Sequence, residues 1–283
     1  MIPWTEMTID EAQAMYGRLG YVIEQVPPQR GSFKQVFRAQ YKNSLVALKV
    51  LHRLDGELYK RTQREVDLMM EIDSRYVAKV LDYNFGAPGY KGYIAEEYIS
   101  GISLDAKARQ RGLRQDEMFH IIDNIFQALL ILESANHNVV HRDVKPSNIM
   151  MRENGDAVLT DFGLARALDE STITSSGMQI GTLRYSPPEF LHYHSGSVDQ
   201  TSDLFSLGIM FYEFLSSHHP FLDPNNGGSL AEQMLKSPPK PLDMVNPSID
   251  PKLARFVMRL IERDRVNRYP SIAEAYNRFK RFL

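Results

Sequence analysis

His141-Arg142-Asp143-Val144-Lys145-Pro146-Ser147-Asn148 is the stretch around which the rest of the chain reads as supporting machinery. It supplies an imidazole, a guanidinium, a carboxylate, an ammonium and a carboxamide within one short segment. Pro146 rules out an uninterrupted helix, and apolar Val139-Val140 and Ile149-Met150 can bury both ends. What remains is a rigid loop holding Asp143 and Asn148 a few residues apart. Beyond Asn148, after the apolar run Ala157-Val158-Leu159, stands Asp161-Phe162-Gly163. A carboxylate and a carboxamide that converge can hold Mg²⁺, a hard cation that takes oxygen ligands and commonly shares its shell with phosphate. A second carboxylate is then left to accept a proton from an attacking hydroxyl.

The H-R-D-V-K-P-S-N string followed by D-F-G resembles the catalytic and metal-binding loops of eukaryotic-type protein kinases. Lys145, two residues after Asp143, resembles the serine/threonine branch rather than the tyrosine branch. The resemblance implies a two-lobed α+β fold: an N-lobe of antiparallel sheet plus one helix, a mainly helical C-lobe, and ATP between them. It runs from about residue 21 to 283, so residues 1–19 read as an N-terminal extension and 20–283 as the kinase domain. Within that domain the N-lobe is expected over about 20–99 and the C-lobe over about 100–283.

Composition excludes several other classes. A formal net charge of −2 gives no bulk electrostatic case for nucleic acid or an anionic membrane. There is no cysteine, hence no disulfide and no thiolate metal site. Met1 to Glu6 lacks the basic residues and apolar run of a signal peptide, and no apolar stretch approaches the roughly 20 residues of a membrane helix. The expectation is a cytoplasmic protein. The sequence fixes no oligomeric state.

Taken in order, Thr8-Ile9-Asp10-Glu11 fits a capping box that opens a short helix to about Tyr16, stopped by Gly17. A helix docked on the small lobe is the expected role. Strands begin at Tyr21. In the family likeness Gly31 to Val36 is the phosphate-covering loop, but Gln29 and Lys34 stand where its first and third glycines would be. Val46-Ala47-Leu48-Lys49 matches the V-A-I-K strand; alternation puts Ala47, over adenine, and Lys49, toward the phosphates, on one face. Residues 57–72 read as a helix in which Glu65 best matches the glutamate that orients the lysine, with Glu57 and Glu71 as alternatives. Glu97-Tyr98-Ile99 resembles the hinge, where backbone groups meet the adenine edge. That register puts Glu96 at the back of the adenine pocket, where a carboxylate must find Lys49 or a water, or take up a proton.

Residues 116–137 read as a long apolar-faced helix leading into the catalytic loop. Gly181-Thr182 through Pro188-Glu189 resembles the close of an activation segment, whose Thr182 would bond Asp143 and Lys145. Asp203 opens a helix resembling the one that braces the catalytic loop, with Phe205 in place of the usual tryptophan. Arg268 is expected to pair with Glu189.

The resemblance thus implies a serine/threonine protein kinase that uses ATP and Mg²⁺ and acts on protein Ser/Thr hydroxyls. Asn148 and Asp161 would hold the metal. Lys49, set by Glu65, would hold the α and β phosphates; Lys145 would neutralise the moving phosphoryl, and Asp143 would take the proton. Gly31, Val36, Ala47, Glu97, Ile99 and Met150 would line the nucleotide. Arg142 carries a guanidinium that needs an anion, and the hydroxyls of Ser171–Ser176, Thr174 and Ser176 above all, suit autophosphorylation of the activation segment. The poorly kept glycine loop and Glu96 leave a nucleotide-binding pseudokinase scaffold as the alternative. A small-molecule phosphotransferase would not need the peptide-docking segment.

Overall fold

The computed structural model describes residues 6–31, 34–51, 56–85, 91–134, 139–162, 184–190 and 198–283, with backbone alone for 56–61 and 111. Activation-segment residues 163–183, Thr182 among them, therefore lie outside the described part.

Helix α1 (Ile9–Tyr16) is started by the expected box: the Thr8 side chain accepts from the Glu11 N–H, the Glu11 carboxylate takes the Thr8 N–H, and Gly17 ends the helix. Strands β1 (Val22–Ile23), β2 (Gln29–Arg30), β3 (Lys34–Tyr41) and β4 (Ser44–Leu51) follow. Lys42 and Asn43 make the two-residue turn between β3 and β4, both at positive φ as such hairpins require. Helix α2 spans Gly56–Met70, and strands β5 (Val80–Asn84) and β6 (Tyr93–Glu97) complete an antiparallel sheet of order β1-β3-β4-β6-β5, with β2 paired to β3.

The pleat sorts the two faces of this sheet. Phe37, Ala39, Val46, Leu48 and Val50 point to a core shared with Met7, Ala12 and Tyr16 of the N-terminal segment. Val36, Arg38, Ala47 and Lys49 point the other way, into a cleft. The N-terminal segment is thus part of the small lobe's packing. Gln35, on the α1 side and buried, clamps it: the Met7 N–H donates to Gln35 Oε1 at 3.0 Å and Gln35 Nε2 donates to the Met7 carbonyl at 2.7 Å.

Below the cleft lie β7 (Gly101–Ser103), α3 (Leu104–Arg111), α4 (Gln115–Glu133), β8 (Ile149–Arg152) and β9 (Ala157–Leu159), with β7-β8-β9 forming a second small sheet. The rest is helical: α5 (Gln200–Ser216), α6 (Leu230–Lys236), α7 (Leu242–Val245), α8 (Pro251–Leu260) and α9 (Ile272–Phe279). Every residue from Ser202 to Tyr212 is buried, so α5 is the central post of the large lobe. Gly208 makes that possible, because a Cβ there would lie 2.7 Å from both Ile261 Cγ2 and Leu260 Cβ. The arrangement is the two-lobed α+β fold expected from sequence. Helices α2 and α4 end a few residues short of the expected 72 and 137. Among the described residues no helix is long and apolar enough to cross a membrane.

Gln35→Ala strips partners from two buried backbone groups of Met7. The expected loss is about 2–3 kcal/mol of unfolding free energy by urea titration. Unchanged stability would mean that the clamp contributes nothing.

Candidate active site

The loop His141–Asn148 hangs from α5. Asp203, buried near the start of that helix, accepts the His141 N–H on Oδ2 at 2.7 Å and the Arg142 N–H on Oδ1 at 2.8 Å. Pointing both amides at one carboxylate bends the chain, and Arg142 sits at φ +66°. Asp161 is likewise at φ +62°. Elsewhere among the described residues a non-glycine positive φ serves a hairpin or caps a helix; these two serve neither, and both lie in the site.

The His141 ring joins the catalytic loop to the strand before Asp161. Its Nε2 meets the Thr160 carbonyl at 3.1 Å and its Nδ1 meets the Asp143 N–H at 3.3 Å. That pair fixes a neutral ring with the proton on Nε2, in keeping with the burial that pushes its pKa down to about 4. Asn148 Nδ2 donates to both the carbonyl and the Oδ2 of Asp143 at 2.8 Å, while Lys145 Nζ lies 2.7 Å from the same Oδ2. With its amide nitrogen engaged, Asn148 has its oxygen left for a cation.

Above the loop is a cleft of about 840 Å³. Val36, Ala47, Lys49, Glu97, Ile99, Met150 and Asp161 line it. Gly31 is not among the lining residues; it is exposed and closes a turn through its N–H to the Lys34 carbonyl at 2.9 Å. Deep in the cleft four charges run in a row. Lys49 Nζ contacts Glu96 Oε2 and lies 2.6 Å from Asp161 Oδ1, which Lys34 Nζ also contacts. Burial opposes every charge here. For Asp161 the two ammoniums more than offset it and hold the carboxyl well below its usual range. Lys49 is likewise held above its ordinary value by Asp161 and Glu96, whereas at Glu96 burial prevails and raises the pKa.

The donor set fits a metal–phosphate ligand. Lys49 Nζ and Asp161 Oδ1 are buried and charge-paired, yet among the described residues neither meets hydrogen-bond geometry with a partner. Asn148 and Asp161 add the oxygens that Mg²⁺ takes alongside phosphate.

One expected pairing is corrected. Glu65 does not set Lys49; its two carboxylate oxygens take Arg142 Nη1 at 2.8 and 2.9 Å, and Lys49 turns to Glu96 and Asp161. The anion expected for Arg142 is therefore already present, on α2. The Glu189–Arg268 pair is where the sequence put it: two parallel bonds of 2.8 Å, with Arg268 1% exposed. Arg268 also stacks over Phe205, its guanidinium carbon 4.7 Å from the ring centre.

Against known families, residues 29–278 match the model of the protein kinase domain. The chain belongs to the protein kinase family. It is 33% identical over 236 residues to a probable serine/threonine-protein kinase of Clostridium acetobutylicum, covering 82% of this chain and 35% of that protein. It is 29% identical over 252 residues to the probable serine/threonine-protein kinase PknB of Lactococcus lactis, with 87% and 39% covered. To the serine/threonine-protein kinase PrkC of Bacillus subtilis it is 30% identical over 228 residues, with 79% and 34% covered. The chain spans little more than a third of the length of these relatives.

Sequence reasoning missed two contacts of this kinase site. Lys34 was visible only as a departure from glycine; nothing in the pattern says that its side chain reaches Asp161. The Arg142–Glu65 pair joins residues far apart in the chain and has no local signature.

Because His141 is neutral when folded and titrates near 6.5 when unfolded, its contribution to stability is complete above about pH 6.5. It is lost as pH falls toward 4, at up to about 1.4 kcal/mol per unit. His219, buried against the Arg184 carbonyl and also pushed down to about 4, acts in the same direction. Nitrogen NMR should find the His141 ring uncharged at pH 5.5; a charged ring there would contradict the hydrogen-bond pattern.

Proposed function

We propose that the protein is an ATP-dependent serine/threonine protein kinase that transfers the γ-phosphoryl of Mg-ATP to protein Ser/Thr hydroxyls. One observation carries the reading: Asp143 Oδ2 is held jointly by Lys145 Nζ and Asn148 Nδ2, at 2.7 and 2.8 Å, below a cleft whose depth carries Lys49 and Asp161. A carboxylate so fixed can orient a hydroxyl and take its proton as the oxygen attacks phosphorus.

Each remaining residue has a task in that chemistry. Lys145 balances charge on the phosphoryl in flight, and Lys49 holds the phosphates behind it. Asn148 and Asp161 would hold Mg²⁺, which when bound neutralises phosphate charge and fixes the phosphates in line. Val36, Ala47 and Met150 offer apolar surface to the base, with Glu97 and Ile99 at its edge. Glu65 serves through Arg142, bracing the catalytic loop from α2. Thr182 is assigned by family likeness to bond Asp143 and Lys145 when the activation segment docks. Autophosphorylation within Ser171–Ser176 is part of the same proposal.

Lys49, Asp143, Lys145, Asn148 and Asp161 are all present and mutually placed, which favours an active enzyme over a pseudokinase scaffold. Replacing a general base typically costs about 10²–10⁴-fold in rate. Asp143→Asn should therefore lose turnover of a protein substrate by about that factor and keep Mg-ATP affinity, whereas Asp161→Asn should lose both. Calorimetric nucleotide binding and radiolabelled phosphate transfer read the two arms. An Asp143→Asn protein retaining more than about a tenth of wild-type turnover would overturn the base assignment.

A further inference from the structure

Two glutamates, Glu65 on α2 and Glu96 on β6, could orient Lys49 beside its contact with Asp161, and of the two only Glu96 reaches it. We infer that Glu96 is the positioning residue for Lys49, and that Glu65, the helix glutamate, has been reassigned to the catalytic loop through Arg142. The inference rests on the kinase reading above and deepens it.

The first support is register. In the β4–β6 ladder Ala47 faces Glu96 and Lys49 faces Ile94. Directly opposed residues share a face, and so do residues two apart on one strand, so Glu96 and Lys49 are diagonal neighbours on the cleft side. Diagonal positions lie about 7–8 Å apart, within reach of a lysine and a glutamate. Their contact is therefore written into backbone pairing and does not depend on where α2 sits.

The second support is occupancy. Glu65 is engaged by Arg142 Nη1 at 2.8 and 2.9 Å, and both Glu65 and Glu96 line a recess with apolar Val66, Met69, Ile94 and Phe162. The third is burial. Glu96 is 3% exposed and Lys49 6%, so each charge needs the other. A buried carboxylate at the back of a nucleotide cleft is costly to keep, and Lys49 is the cation it contacts.

With Glu96 as partner, the Lys49 ammonium is held at the depth of the sheet between two carboxylates. Neutralising Glu96 leaves Asp161 as the one remaining carboxylate contact of Lys49 among the described residues and draws the ammonium toward the metal-binding end. Displacing α2 moves Glu65 and Arg142 but not Lys49. Glu96 thus acts on the reaction through Lys49 and not by touching the transferred group.

A pair of double-mutant cycles tests the assignment in the intact chain. Lys49→Met is combined with Glu96→Gln in one cycle and with Glu65→Gln in the other. Mg-ATP affinity is read by calorimetry and urea stability is read without nucleotide. The expected result is coupling of about fivefold or more between positions 49 and 96 in Mg-ATP affinity, with 49 and 65 additive within about twofold. Without nucleotide, the Lys49→Met/Glu96→Gln protein should be more stable than the two single losses predict. Glu96→Asp, which keeps the charge, should recover part of the affinity lost in Glu96→Gln. Coupling of 49 to 65 equal to or above that of 49 to 96 overturns the inference. So does 49–96 coupling in stability alone, because the pair is then structural and does not position Lys49 for nucleotide. A wild-type protein that binds no Mg-ATP overturns the kinase reading itself, while wild-type binding with uncoupled 49 and 96 overturns only the role given to Glu96.

Discussion

The catalytic loop depends on one carboxylate, that of Asp203. It is an anion near the start of the most deeply buried helix, where the exposed amides of the first turn favour negative charge. The His141 and Arg142 amides that it accepts would otherwise be backbone donors with little access to water. Helix α5 can sit so deep because Gly208 lets it meet the end of α8 without a side chain between. The position of Asp143 is therefore set by large-lobe packing, two steps removed from the cleft. Arg268 and Glu189 act on the same region from the other side. A pair this buried stabilises little in net terms, but removing one member leaves an uncompensated charge costing about 3–5 kcal/mol.

Across the cleft, the site is organised by ladder register. Lys49 and Glu96 come from adjacent strands of one sheet, so their separation is as rigid as the hydrogen bonds between the strands. Asp161 comes from the segment after β9 and meets Lys49 only because the two lobes close on each other. Glu65 comes from α2 and bonds the large lobe directly through Arg142. The lobes are thus joined by ion contacts of different origin, among them Lys34 and Lys49 to Asp161 through the sheet and Glu65 to Arg142 through the helix.

Much of this was legible in the chain because it rests on local pattern. Thr8 to Glu11 specify a helix start by themselves, and the alternation of Val46-Ala47-Leu48-Lys49 selects the face that Lys49 occupies. The Glu189–Arg268 and Asp203 contacts were legible through likeness to a family, since those residues stand at family positions. The partner of Lys49 was a choice between carboxylates from two elements, and chain spacing does not encode how far a helix packs from a sheet. Family likeness favoured Glu65. Strand pairing and burial favour Glu96, and they prevail because a carboxylate opposite Ala47 lies on the face, and within the diagonal reach, of Lys49. Lys34 was illegible for a similar reason: a long flexible side chain in place of glycine can turn to solvent or inward, and only the acidic residue across the cleft decides it.

The charge row in the cleft bears on how a nucleotide arrives. Arg30, Arg38, Lys49 and Arg109 line the cavity against Glu96, Glu97, Asp105 and Asp161, and Lys34 reaches Asp161, so the described walls interleave both signs with one cation in excess. A mouth of such interleaved charge on a chain of net charge −2 casts little long-range field to draw in a polyanion. Encounter with a nucleotide would then proceed at an ordinary diffusional rate that changes little with ionic strength. On the proposed kinase reading, discrimination among nucleotides would fall to the escape rate, with Lys49 still held by Glu96 while it meets phosphate.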